Sequence, residues 1–202
     1  MLSFLERVSY GTHADLSMFG EEGVALMRPS DLLILEWVFH QNREIKHIVE
    51  VGTGHGLSTL YLSQVCRLRG GELHTFDHHP PRQAYRDLWP DCARFHEADV
   101  LTEECQELIP FIARPRSLVM LDDGNKPREL ELYAKHLPCN SVLAVHDFGS
   151  EVAPKCDWAK IVSDAGLEPY LWEESVEWHS QVRCWRRPDP VEQPPCGGEA
   201  AS

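Results

Sequence analysis

The stretch from Lys46 to Thr59, Lys-His-Ile-Val-Glu-Val-Gly-Thr-Gly-His-Gly-Leu-Ser-Thr, constrains the fold more than any other part of the chain. Ile48, Val49 and Val51 make a short apolar run of the kind a parallel strand buried on both faces requires. Glu50 closes that run, and Gly52, Gly54 and Gly56 follow at alternate positions. Leu57, Leu60, Tyr61, Val65 and Leu68 then recur with helical spacing. Strand, glycine turn and helix in this order are the pattern expected of a nucleotide-binding crossover. Glycines let the backbone approach a ligand, and the helix start offers free N–H groups.

The dinucleotide fingerprint would place a third glycine where Leu57 stands, which counts against an NAD(P)-dependent oxidoreductase and keeps it as the alternative. The string resembles motif I of the class I S-adenosylmethionine-dependent methyltransferases, in which an acidic residue opens the same turn. The resemblance implies that Glu50, Gly52, Thr53, Gly54, His55, Gly56 and Ser58 surround the cofactor, with Glu50 and the glycines toward its methionine part.

A chain of 202 residues suits one domain with a real core. A net charge of -13 opposes a phosphate backbone, so nucleic acid is an unsuitable substrate and a small-molecule acceptor is expected. No apolar run is long enough to span a membrane, and the first residues lack the pattern of a signal peptide. Seven scattered cysteines without a C-x-x-C pair argue for reduced thiols and a cytoplasmic setting. Cys66, Cys105 and Cys156 fall in helical patterns as small packing residues. Assembly into a homo-oligomer is left open.

Residues 1–28, interrupted by Gly11, Gly20 and Gly23, read as an irregular arm. A helix begins near Pro29 or Ser30, with Leu32, Leu33, Leu35, Trp37, Val38 and Phe39 as its apolar face. One rhythm then repeats. Glu72–Phe76 is a second strand ending in Asp77, and Ala93–Glu97 a third ending at Asp99. Thr102 caps a helix from Glu103 to Ile109. Ser117–Leu121 is a fourth strand ending in Asp122, followed by a helix from Arg128 to His136. Ser141–Val145 is a fifth, ending in His146-Asp147. Strands in the low twenties of spacing with helices between them predict a parallel α/β sheet. Glu50, Asp77, Asp99, Asp122 and Asp147 all stand at or near carboxyl ends of strands, where such sheets place ligands.

Beyond 151, a helix around Trp158–Leu167 precedes two strand-like runs, Glu168–Trp172 and Gln181–Trp185, joined by a loop as antiparallel partners. A methyltransferase domain over 29–187 leaves 188–202 as a disordered tail rich in proline. The class I resemblance implies a Rossmann-like, seven-stranded, mostly parallel sheet in the order 3-2-1-4-5-7-6 with helices on both faces.

The run Leu121-Asp-Asp-Gly-Asn-Lys-Pro-Arg-Glu-Leu-Glu-Leu-Tyr-Ala-Lys-His-Leu137, then Ser141 to Asp147, and Pro29-Ser-Asp-Leu32 ahead of motif I, resemble the cephalosporin hydroxylase-type branch of these enzymes. That branch includes sugar and natural-product O-methyltransferases. The likeness implies O-methylation of a small or sugar-containing molecule. It is similar, more distantly, to catechol-type O-methyltransferases, which hold a metal at the ends of strands four and five. His146 departs from the family's acid at the first position of the strand-five pair.

By this resemblance Asp77 accepts the ribose hydroxyls, Asp99 lies near the adenine, and His78 flanks the adenosine. Asp122, which borders both halves of the site, joins His146 and Asp147 as candidate ligands for Mg2+ or another divalent cation. His146, Asp122 and Lys126 are the candidate catalytic residues: His146 as ligand or general base, Lys126 as a further base. A lysine opening a helix is ordinarily solvated. Trp89, Trp158, Trp172 and Trp178 are candidates for an acceptor pocket, although core packing is the commoner fate of tryptophan. A methyltransferase fold that has lost catalysis and serves as a binding protein is the non-enzymatic alternative.

Overall fold

The computed structural model describes residues 27–189. The expected arm over 1–28 and tail over 188–202 lie outside the described residues, apart from Met27, Arg28, Pro188 and Asp189. Strand β1 (His47–Val51) is central, paired in parallel with β2 (Glu72–Asp77) and with β4 (Ser117–Leu121). β3 (Ala93–Glu97) lies outside β2, and β5 (Val142–Val145) outside β4. The last pair, β6 (Glu168–Tyr170) and β7 (Arg183–Arg186), is antiparallel, with β7 inserted next to β5. The order 3-2-1-4-5-7-6 is the expected one.

Strand side chains alternate between the two faces, and each face has its own layer of helices. Val49, Val51, Val119, Leu121, Leu143, Val145 and Trp185 pack on one side with α4 (Ile109–Ile112), α5 (Lys126–Tyr133) and α6 (Trp158–Asp164). Ile48, Leu73, Leu118, Met120, Val142, Ala144 and Cys184 pack on the other with α1 (Pro29–Gln41) and α2 (Leu57–Arg69). Burial on both faces is why the strands read as unbroken apolar runs.

Several local expectations need correction. The helix expected over 103–109 is absent: α4 is one turn at Ile109–Ile112, and Thr102 instead donates its hydroxyl to Asp99. The four residues Asp99–Thr102 form a side-chain-closed turn, which competes with helix formation. Helix α5 starts two residues early, at Lys126, because Asn125 Oδ1 accepts from the Arg128 N–H at 3.3 Å and fixes the cap there. It ends at Tyr133, and Ala134–His136 continue as a 3-10 turn. The link before β7 is not a plain loop but holds α7 (Trp172–Glu177). Leu33 and Trp37, counted on the apolar face of α1, are exposed. Cys105 and Cys156 lie outside the helices, whereas Cys66 is buried within α2. A short helix α3 (Gln83–Arg86) occupies the polar stretch after Pro81.

Candidate cofactor and acceptor site

The period of two that builds the sheet also sorts the polar residues. Glu50 follows Ile48, Asp122 follows Met120 and His146 follows Ala144 at two-residue steps. All three therefore turn toward the α1/α2 face. Glu50 lies inside β1 rather than at its end and is fully buried.

Beyond Val51 the chain hooks sharply. Gly52 donates to Phe76 O at 2.8 Å, and Asp122 N donates to Val51 O at 2.7 Å. Gly52 has φ +93°, and a Cβ there would fall 2.4 Å from the Asp122 carbonyl carbon. Gly54 also has positive φ, but open space surrounds its Cβ position. Gly56, the N-cap of α2, sits under a wall made by Pro81, Tyr85 and Trp89, with Trp89 Nε1 donating to Gly56 O at 3.3 Å. Trp89 thus borders the glycine turn.

Glu50 accepts from Thr59 Oγ1 at 2.5 Å and Thr75 Oγ1 at 2.7 Å, both on Oε2. Its Oε1 is buried with no hydrogen-bond partner. Burial pushes its pKa up to about 7, against the pull of the Ser58, Thr59 and Thr75 hydroxyls. Thr53 does not face outward: with Thr75 donating to Glu50, Thr53 donates to Thr75 at 2.6 Å. Thr53, Thr75 and Thr59 thus form an inner support for the acid, a role the spacing did not suggest. His55 is exposed on the loop.

At the end of β2, Asp77 accepts from Gly54 N and His79 N, each at 2.9 Å, so the strand end and the glycine turn are clamped together. His78 Nδ1 lies 3.2 Å from Asp77 Oδ1, with the ring largely exposed and packed on His79. Asp99 is exposed and turned onto its own loop, accepting from the Thr102 hydroxyl and from Leu101 N and Thr102 N. Those bonds hold its carboxyl below the ordinary range.

The ends of β4 and β5 carry a second, more highly charged group. His146 is 2% exposed. Its Nδ1 lies 3.0 Å from Asp122 Oδ1 and 3.4 Å from Asp147 Oδ2, and its Nε2 lies 3.4 Å from Asp31 Oδ2. Burial works to lower its pKa, but the bonds to Asp122 and Asp31 win and raise it to about 10. His146 is thus clamped between carboxylates, an arrangement that favours its protonated form. Asp31, in the first turn of α1, escaped the sequence reading. Its N3 position shows only a capping acid, accepting from Arg28 N at 2.8 Å. It also accepts from Ser180 Oγ at 2.8 Å and Gln181 N at 2.6 Å. Although burial opposes it, these bonds and His146 lower its pKa to about 2.

Lys126 is not solvated. Its side chain is 7% exposed and its Nζ lies near Asp122, Asp147 and Glu151. Those acids raise its pKa against the effect of burial. Trp158 and Trp172 pack with Phe148 and Trp185 in an aromatic cluster behind Asp147, and Trp178 packs on the α1 side.

Two groups are implied by the resemblance, and the residues treat them differently. The glycine hook, the unpartnered Glu50 oxygen and the Asp77 clamp fit a cationic, ribose-bearing cofactor. Asp122, His146 and Asp147 do bring one ligand atom each within 4.8 Å of one another. Both imidazole nitrogens already face carboxylates, however, and an ammonium stands between the two aspartates. As arranged, that donor set does not fit a divalent ion.

A family model described as a methyltransferase domain matches residues 49–148. Among curated proteins none matches the sequence. Solved structures are similar in fold. A Podospora anserina methyltransferase with bound SAH is 17% identical over 93% of this chain and 94% of its own, with a TM-score of 0.58. A sugar N-methyltransferase from a Streptoalloteichus species is 13% identical over 89% and 94%, with a TM-score of 0.57. The protein cmcI, solved with Mg and SAM, is 14% identical over 82% and 75%, with a TM-score of 0.56.

Proposed function

We propose that the chain, whose residues 49–148 match a methyltransferase-domain model, is a class I S-adenosylmethionine-dependent methyltransferase that methylates a hydroxyl oxygen of a small, sugar-like or natural-product acceptor. The observation that carries the oxygen reading is the buried Lys126 ammonium at the ends of β4 and β5, beside the glycine turn that adjoins Asp122. The cofactor supplies an electrophilic methyl group on a sulfonium. The chain's own task is to hold the acceptor in line and to ease loss of its proton. An ammonium fixed at that edge lowers the cost of a developing oxyanion. Asp147, the more exposed acid of the pair, is placed to take the proton, while His146 and Asp122 hold the strand ends in register.

A second reading rests on a different observation. Four acids, Asp31, Asp122, Asp147 and Glu151, surround two cations, His146 and Lys126. That excess would also attract an amine, and one structural neighbour is a sugar N-methyltransferase. Paired hydroxyl and amino acceptors offered with labelled S-adenosylmethionine separate the two. Methyl transfer to hydroxyls is expected, and transfer confined to amines would overturn the oxygen assignment.

Asp77→Ala is expected to weaken S-adenosylhomocysteine binding by about 1–3 kcal/mol, the cost of unpaired buried hydroxyls, with the fold retained. Calorimetry measures it. Tight NAD binding without S-adenosylhomocysteine binding would instead favour the oxidoreductase, against which the closing antiparallel pair and Leu57 already argue. No helix among the described residues is long and apolar enough to cross a membrane. The six described cysteines are all free, which supports the proposed cytoplasmic setting.

A further inference from the structure

Three carboxylate oxygens from three separate positions converge on one ammonium. Lys126 Nζ lies 3.5 Å from Asp122 Oδ1, 3.4 Å from Asp147 Oδ2 and 3.7 Å from Glu151 Oε2. Asp122 directly follows β4, Asp147 lies two residues beyond β5, and Glu151 belongs to the turn Phe148–Val152 that comes next. An all-oxygen set of this kind is what a hard divalent cation would select. Here the centre is taken by a side chain of the same protein.

The lysine is held there by its backbone. It is the first residue of α5, whose start is set by the Asn125 cap, so its stem has one approach to the strand ends. Asp147 adopts a left-handed conformation, φ +52°, which brings its carboxylate round toward the same point. His146 cannot complete a metal site while both its ring nitrogens face Asp122 and Asp31.

We propose that Lys126 is a tethered counter-ion standing where related folds place a divalent metal, so that this protein neither needs nor binds Mg2+ at the ends of β4 and β5. An incoming ion would meet an ammonium already among its ligands and would be repelled by it. The inference draws on the methyl-transfer reading only for the step the charge serves. The metal-binding test below stands whether or not an acceptor is found.

The experiment is Mn2+ binding to the full chain, followed by electron paramagnetic resonance with and without S-adenosylhomocysteine. The wild type is expected to leave Mn2+ free up to about 1 mM. Lys126→Ala should acquire a site at least about tenfold tighter, seen also as a rise in Tm on adding Mn2+. Asp147→Asn placed on top of it should remove that site, and Lys126→Arg should behave as wild type. Tight Mn2+ binding by the wild type, lost in Asp122→Asn, would overturn the proposal. So would a folded Lys126→Ala that gains no site. If Lys126→Ala fails to fold, the wild-type titration and Lys126→Met still decide.

Discussion

Gly52→Ala is expected to lower stability by about 3–5 kcal/mol and to abolish S-adenosylhomocysteine binding. Two costs add: overpacking against fixed atoms, and a positive φ that a side chain disfavours. The new Cβ would lie 2.4 Å from both Asp122 C and Asp123 N and 2.5 Å from Asp122 O. These are backbone atoms, so no rotamer change relieves the contact. The strand ends would have to part, and with them Glu50 and Asp122. For a chain of this size the loss corresponds to a Tm drop on the order of 10 °C. Gly54→Ala is the control. Its Cβ meets nothing within 4 Å, so only the backbone strain at φ +51° remains, about 1 kcal/mol. Melting curves for the two variants that coincide with wild type would refute this account of the hook.

Glu50→Gln is expected to stabilise the ligand-free protein at pH 8 while leaving it unchanged or slightly weaker at pH 5. In the fold Glu50 holds its proton to about pH 7, whereas an ordinary glutamate loses it near 4.5. Below 4.5 both states are protonated and the acid costs nothing extra. Through the interval from 4.5 to 7 the folded state binds the additional proton, so stability falls as pH rises. Above 7 the whole penalty is present, on the order of 3 kcal/mol. Glutamine removes that dependence. In the wild type, cofactor binding should ionise Glu50 and release protons near pH 6–7, with release fading above pH 8. Calorimetry in buffers of different ionisation enthalpy measures the release. A wild type and Glu50→Gln pair with parallel stability–pH curves would show that Glu50 does not titrate in this range.

The architecture was legible because the strands are buried on both faces and recur at regular intervals, and such runs need no long-range information to be recognised. The grouping of Glu50, the glycines and Asp77 was legible for a related reason: they lie within one crossover. Helix content was less so. The Asp99–Thr102 turn removed one expected helix through side-chain bonds that periodicity does not register. On the acceptor side, Asp122, His146, Asp147 and Lys126 were found as types, but their states were not. His146 reads as a base until Asp31 is placed against it, and Lys126 reads as solvated until Glu151 and Asp147 are folded over it. No spacing rule connects residue 31 to residues 146, 180 and 181.

The buckle at Asp31 has a kinetic consequence. Glu50 is bound by Thr59 and Thr75, 9 and 25 residues away, and Gly54 reaches Asp77 across 23. Asp31 instead closes on His146, Ser180 and Gln181 across 115, 149 and 150 residues. Contacts that span most of a chain carry the larger loop-closure cost and form late. The Glu50 and Asp77 contacts of the cofactor half close over short spans, whereas His146 receives its second carboxylate only when α1 and the segment before β7 meet. During synthesis that meeting must wait until residue 181 has emerged, so the reactive edge is assembled last.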